Sequence, residues 1–216
     1  DGLWITHNKG KKYRSLNGLD EATSLPFAHA TTPVFVGEVE WLPDNFDFVM
    51  MACNQGFWVC EDVGEGLVKW PFLKLKKNSS QKWKRISELH FYDIEIIQQP
   101  GIERCIVAAG EKLLLSKDNG KTWTLIDAPE YNDQLKFPFV RMNPEFSPAL
   151  PNFIFVMLTC SASATQSRNG QAALYLFDLQ TMEWKKIRDM DGDVTNVIPT
   201  RARAFEVDET DPSLMF

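Results

Sequence analysis

The sequence has no long apolar run, few cysteines and too little positive charge to balance its acidic residues. Without an apolar stretch of about 18 residues, no segment is predicted to insert into a membrane. A formal charge of −6 and a pI near 5.2 would repel the phosphate backbone of a nucleic acid, so no such partner is expected. No metal or cofactor is expected either, and the Asp-rich stretch 189–193 is interpreted as a solvated turn because it lacks the full spacing of a calcium loop.

The four cysteines are too few and too scattered for a disulfide framework, and no pair has C-x-x-C spacing. A turn centred near Gln55 would place Cys53 opposite Phe57. It would place Cys60 opposite Met50, so that these two sulfur atoms would not meet. We predict four buried thiols, with a long-range disulfide as the alternative. The cysteines are Cys53, Cys60, Cys105 and Cys160.

A helical repeat of apolar residues is also missing, since no convincing 3.6-residue period extends beyond about ten residues. The aromatic residues instead stand in short runs beside β-branched neighbours, a pattern that favours β-strands. The chain is therefore predicted to be all-β.

The clearest motif that is present occupies residues 116–123, with the pattern S-x-D-x-G-x-T-W. It lies between two apolar runs and predicts a hairpin turn. The short Asp and Ser side chains can accept hydrogen bonds from the turn, the glycine permits positive φ, and the tryptophan supplies an apolar plug. The motif predicts a stabilising turn formed by Ser116, Asp118, Gly120, Thr122 and Trp123.

Three incomplete copies of this motif occur elsewhere in the chain, each after a similar apolar run. Their Asx positions and that of the full motif are spaced by roughly 55 to 60 residues, the length of a four-stranded propeller blade with its loops. The residues kept in the incomplete copies are Asn8 and Gly10, Asp62 and Gly64, and Asp178 and Trp184.

This pattern resembles the Asp-box (BNR-repeat) β-propeller superfamily. The resemblance implies a β-propeller of four-stranded antiparallel blades with Asp-box turns, about four of them in this chain and some incomplete. We predict one propeller region over 1–216, with blade units at about 1–20, 37–88, 90–128, 136–188 and 203–216. A fragment of a larger propeller is favoured, and a closed four-bladed ring is the alternative.

The superfamily includes sialidases, xyloglucan-degrading endoglucanases, sortilin-type receptors and photosystem II assembly factors, so the resemblance alone assigns no activity. We favour a non-catalytic module that presents loops to a protein or peptide partner, or to carbohydrate. Trp70 and Phe72 in loop 64–81 and Arg168 in loop 161–171 are the candidate contacts. Asn78 begins a glycosylation sequon in the first of these loops, which suits a secreted or lumenal protein.

The alternative function is one lobe of an Asp-box glycoside hydrolase, xyloglucanase-like rather than sialidase-like. Its candidate catalytic residue is Asp93, a polar residue in the otherwise apolar run 91–96. A hydrogen-bonded residue at a strand end is the competing interpretation. Against the hydrolase, the 12 glycines are few for the loops of an open polysaccharide cleft.

Overall fold

All regular elements in the described part of the chain are β-strands. The computed structural model describes residues 4–5, 14–15, 34–61, 83–98, 104–129, 139–160, 172–189, 207 and 210–211. Within these ranges, no helix long and apolar enough to cross a membrane is found. The chain divides into two compact units, Asp1–Ile94 and Glu95–Phe216. A short ladder in the first unit pairs β1 (Trp4–Ile5) with β2 (Arg14–Ser15).

The first four-stranded sheet is an antiparallel meander in which each strand pairs with the next along the chain. Its two central strands are almost continuously buried, which explains why they read as apolar runs rather than as alternating patterns. Its last strand exposes Lys84 and Arg85, and charged side chains protect such an edge from pairing. The strands are β3 (Val36–Leu42), β4 (Asn45–Cys53), β5 (Gly56–Cys60) and β6 (Trp83–Ser87).

The hairpin between β4 and β5 differs by one residue from the predicted register. Cys53 lies opposite Gly56, and Cys60 lies opposite Val49, so the pairing expected for both cysteines was wrong. The turn has only two residues. Gly56 follows it with a φ of 134°, a backbone conformation that residues with a side chain rarely adopt. Cys53, Cys60 and Cys105 are buried free thiols.

The second sheet has the strand order β7-β8-β9-β10, and the division between the two units falls inside β7. The third sheet has the order β11-β12-β13-β14. The strands of the second sheet are β7 (Phe91–Ile97), β8 (Cys105–Gly110), β9 (Leu113–Ser116) and β10 (Thr124–Ile126). Those of the third are β11 (Phe139–Glu145), β12 (Phe153–Cys160), β13 (Ala172–Asp178) and β14 (Glu183–Asp189).

A hydrophobic core in the second unit is shared by the second and third sheets. Val107 and Leu115 from the second sheet pack in the same cluster as Val156, Leu158 and Phe177 from the third. The two sheets therefore bury their apolar faces against each other, as neighbouring propeller blades do. The predicted fold class is confirmed: the chain is all-β and is built of four-stranded antiparallel blades.

Candidate functional site

The first unit brings the backbone of β3 unusually close to the start of β7, and a glycine makes this approach possible. A Cβ atom added to Gly37 would lie 2.3 Å from the carbonyl oxygen of Tyr92 and 2.7 Å from its Cα. Real Cβ atoms do not come so near to other backbone atoms, so the position has no space for a side chain. The approach places the next residue of β3, Glu38, beside Asp93 and Ile94.

The side chain of Glu38 is hydrogen-bonded to β7. The backbone N–H of Ile94 donates to Glu38 Oε2 at 2.6 Å. Asp93, the residue before Ile94, acts on the pKa of Glu38 through its own carboxyl group. Glu38 and Asp93 therefore form an acidic pair where β3 meets the start of β7.

The environment of Glu38 favours its protonated form. Burial raises the pKa of Glu38 to about 7, and the hydrogen bond to Asp93 and the charges of Asp93 and Glu40 raise it as well. The N–H of Ile94 acts in the opposite direction, since it stabilises the carboxylate. A group that titrates near neutrality can act as a proton donor or as a pH-sensitive contact.

Asp93, the catalytic candidate from the sequence, is half-buried in β7 as one member of this pair. Glu38 was not singled out by sequence reasoning. Two features of the sequence could have pointed to Glu38. A glycine inside a strand often marks a close backbone approach, and Glu40 lies two residues further along on the same face of the strand.

An exposed phenylalanine lies immediately before β3, three residues before Glu38. The side chain of Phe35 is 70% exposed and that of Val36 is 40% exposed. The Phe35 N–H donates to Asn54 Oδ1 at 2.8 Å, and the Asn54 N–H donates to the Phe35 carbonyl at 3.1 Å. Val34 packs against the core of the first unit. The backbone of Phe35 is thus fixed while its ring is offered to solvent.

The full motif of residues 116–123 forms a turn between β9 and β10. The N–H and hydroxyl of Thr122 donate to the two oxygens of Asp118 at 2.8 and 2.6 Å, respectively. The Gly120 N–H donates to Ser116 Oγ at 2.8 Å, and the Trp123 indole donates to the Gly120 carbonyl at 2.9 Å. The hydrogen bonds from Thr122 lower the pKa of Asp118 to about 2. The Asp118 carboxylate is therefore hydrogen-bonded within its own turn.

The incomplete copy at the end of β13 forms a related turn without glycine. Asp178 Oδ1 accepts from the N–H groups of Gln180 at 2.7 Å and of Thr181 at 3.2 Å. Met182 takes the left-handed conformation, with φ 61°, which glycine would adopt without strain. The indole of Trp184 donates to the carbonyl of Asp127 at 2.9 Å, which ties this turn to the neighbouring sheet of the same unit.

Several candidates from the sequence fall outside the described residues, so their predicted roles stay predictions. Within the described ranges, no group of three or more His, Cys, Asp or Glu side chains is arranged to hold a metal ion. The candidates outside the described residues are Asn8, Gly10, Asp62, Gly64, Trp70, Phe72, Asn78 and Arg168.

Comparisons with known proteins leave the family open. No protein-family model matches the chain. No curated protein matches it. Among solved structures, the chain is similar to the crystal structure of an ancestral GH74 enzyme, with a TM-score of 0.45 and 10% sequence identity. The similarity covers 98% of this chain but 31% of the enzyme, and a likeness at this level transfers no activity.

Proposed function

We propose that the chain is a non-catalytic β-propeller module that binds a protein or peptide partner through an apolar surface around Phe35. The observation that supports this proposal is the large exposed fraction of Phe35, 70%, on a backbone fixed at both its N–H and its carbonyl. An aromatic ring on a rigid base loses little conformational entropy on binding, which is why such rings are common anchors at interfaces.

A second exposed apolar side chain next to Phe35 supports the proposal. The side chain of Val36 is 40% exposed, so two apolar side chains in sequence face the solvent at this surface. A partner that packs an apolar side chain against Phe35 would remove that side chain and the Phe35 ring from water. Burying a side chain of this size contributes about 1.5 to 3 kcal/mol.

The hydrolase alternative has less support from the geometry. Glycoside hydrolases place two carboxyl groups about 5 to 10 Å apart, so that a glycosidic oxygen or a water molecule fits between them. Glu38 instead accepts the Ile94 N–H at 2.6 Å, on the same strand as Asp93, so this carboxyl group is engaged with the protein backbone.

The proposal can be tested by selecting ligands for the immobilised chain from a phage-displayed library of random peptides. We expect enrichment of peptides that contain an aromatic or large aliphatic side chain. The Phe35→Ser substitution should weaken their binding by roughly 10- to 100-fold, since it removes the apolar anchor. Dissociation constants measured by isothermal titration calorimetry give the comparison.

A matched control is available in the second unit. Leu125 lies on β10 with its side chain 43% exposed, so Leu125→Ser removes an exposed apolar side chain from another surface. We expect this variant to bind the selected peptides like the wild-type chain. Equal loss in both variants, enrichment of peptides without apolar residues, or binding to a glycan array in place of peptides would contradict the proposal.

A further inference from the structure

We propose that the peptide segment bound at the apolar surface around Phe35 carries a Lys or Arg about three residues from its apolar anchor, and that Glu38 and Glu40 bind this basic side chain. This assignment of charge to the partner rests on the binding function proposed above and concerns the first unit alone.

Phe35 and Glu38 lie on the same face of the first sheet. In a regular strand, side chains three positions apart point to opposite faces. Here the register of β3 against β4 shifts just before Glu38, so that Gly37 is an extra residue in β3. Glu38 lies opposite Ala52. Phe35 is hydrogen-bonded to Asn54, two residues further along the chain. Residues two apart share a face, so the side chains of Phe35 and Glu38 do as well.

Three carboxyl groups lie close together beyond the exposed ring. Glu40 follows Glu38 by two residues and shares its face of β3. On β7, Asp93 precedes Ile94, whose N–H donates to Glu38 Oε2 at 2.6 Å. All three acidic residues are half-buried, so part of each is in contact with solvent. The sheet therefore presents an apolar ring and, roughly 10 Å further along the strand, a group of acidic side chains.

The described residues supply no cation to this acidic group. Burial is the main cause of the raised pKa of Glu38, and the carboxyl groups of Asp93 and Glu40 raise it further, while no Lys, Arg or His acts on it. On β4 the residue opposite Glu38 is Ala52, which has no charge. Like charges in a half-buried place repel each other, and a cation relieves the repulsion. Charge complementarity therefore favours a partner that brings a basic side chain.

The acidic group suits an ammonium or guanidinium head better than a metal ion. In the part of the chain that the structure describes, no cluster of three or more His, Cys, Asp or Glu is arranged to hold a metal. A Lys or Arg head needs only hydrogen-bond acceptors, and carboxylates are the strongest acceptors among side chains. The N–H of Ile94 fixes the orientation of the Glu38 carboxyl before a partner binds, which lowers the entropic cost of binding.

A phage-displayed peptide library with one fixed Trp and random residues on both sides tests the charge of the partner. With the immobilised wild-type chain at pH 8, above the pKa of about 7 of Glu38, we expect Lys and Arg to be enriched over Asp and Glu. The enrichment should reach about tenfold at roughly two to four positions from the Trp. The Glu38→Gln/Glu40→Gln variant should lose most of it.

Glu183→Gln is the matched control for the library selection. Glu183 is exposed on β14 in the second unit, so the substitution neutralises a carboxylate outside the acidic group. We expect this variant to select the same basic peptides as the wild-type chain. Loss of the basic residues in this control as well would mean that the net charge of the chain, rather than Glu38 and Glu40, attracts them.

Isothermal titration calorimetry with the most enriched peptide separates the charge of the partner from binding as such. Replacing its basic residue with Gln should weaken binding to the wild-type chain about five- to tenfold, and binding to Glu38→Gln/Glu40→Gln by less than about twofold. Added NaCl should weaken the basic peptide selectively, since salt screens charge pairs. Phe35→Ser should weaken both peptides alike, because it removes the apolar anchor that they share.

The possible outcomes distinguish the two proposals. Equal affinity for the basic and the Gln peptide would overturn the role of Glu38 and Glu40 and leave the surface around Phe35 as a binding site. A basic preference that persists in Glu38→Gln/Glu40→Gln would overturn it too. If no Trp peptide binds, both proposals fail. If the double variant does not fold, Glu40→Gln leaves the contact between Glu38 and Ile94 in place and should still lose about half of the preference.

Discussion

At the scale of single residues, Gly37 occupies a position that has no space for a side chain. Its missing side chain lets β3 lie against Tyr92, and a methyl group there would meet the Tyr92 carbonyl oxygen at 2.3 Å. We expect Gly37→Ala to reduce the free energy of unfolding by about 1 to 3 kcal/mol, because two backbone segments must move apart. Urea denaturation of the wild-type and variant chains measures the change.

The adjacent residue provides the comparison for this substitution. Val36 also lies in β3, but its side chain is 40% exposed, so Val36→Ala removes few buried contacts. Its effect should stay within about 0.5 kcal/mol. If the two alanine variants unfold at the same urea concentration, the close approach at Gly37 is unimportant for stability.

At the scale of elements, the turn between β9 and β10 depends on the carboxylate of Asp118. Asp118→Ala removes the acceptor of the two Thr122 hydrogen bonds, and we expect a loss of about 1 kcal/mol. The depressed pKa of about 2 means that this contribution is complete above the ordinary value of 3.8 and declines as the pH falls towards 2. The difference in unfolding free energy between variant and wild type should therefore shrink in acid.

Lys121 lies in the same turn and has an exposed side chain, so Lys121→Ala serves as the control for Asp118→Ala. We expect this control to unfold like the wild-type chain at every pH. Equal losses in the two variants, or a difference for Asp118→Ala that persists at low pH, would show that the carboxylate does not organise the turn.

The elements also show which parts of the structure could be predicted from the sequence. The hairpin at Asp118 was predictable because turn chemistry is local: each donor lies within four residues of its acceptor. The register at Cys53 was missed because a shift of one residue in the turn changes every pair in the ladder. The contact between Glu38 and Ile94 joins residues 56 positions apart, and no spacing rule encodes such a contact.

At the scale of the whole chain, the repeat length and the buried apolar strands were sufficient to predict the fold class, because the three four-stranded sheets in the described ranges repeat the same meander. The proposed binding surface was not predictable in the same way. Phe35 is an ordinary apolar residue in the sequence, and the role proposed for it rests on its exposure after folding. Exposure depends on which neighbouring segments cover a side chain, a property of the assembled blades rather than of any motif.

The shared core of the second unit gives a prediction about cooperativity. Leu158 on β12 is fully buried in the cluster that also contains Val107 and Leu115 of the second sheet. We expect Leu158→Ala to cost about 2 to 5 kcal/mol, through lost burial and the cavity that it leaves. Because the two sheets share this core, hydrogen exchange measured by mass spectrometry should become faster in peptides from both of them.

Ile187→Ala tests whether such an effect is specific to the core, since Ile187 lies on β14 with its side chain 42% exposed. This control should leave exchange nearly unchanged in both sheets. Faster exchange confined to β12 and its neighbours in the Leu158 variant would mean that each sheet opens by itself, as independent units of a repeat protein can. Faster exchange in both sheets would mean that adjacent blades of the second unit unfold together, because the side chains that stabilise one sheet are the packing surface of the next.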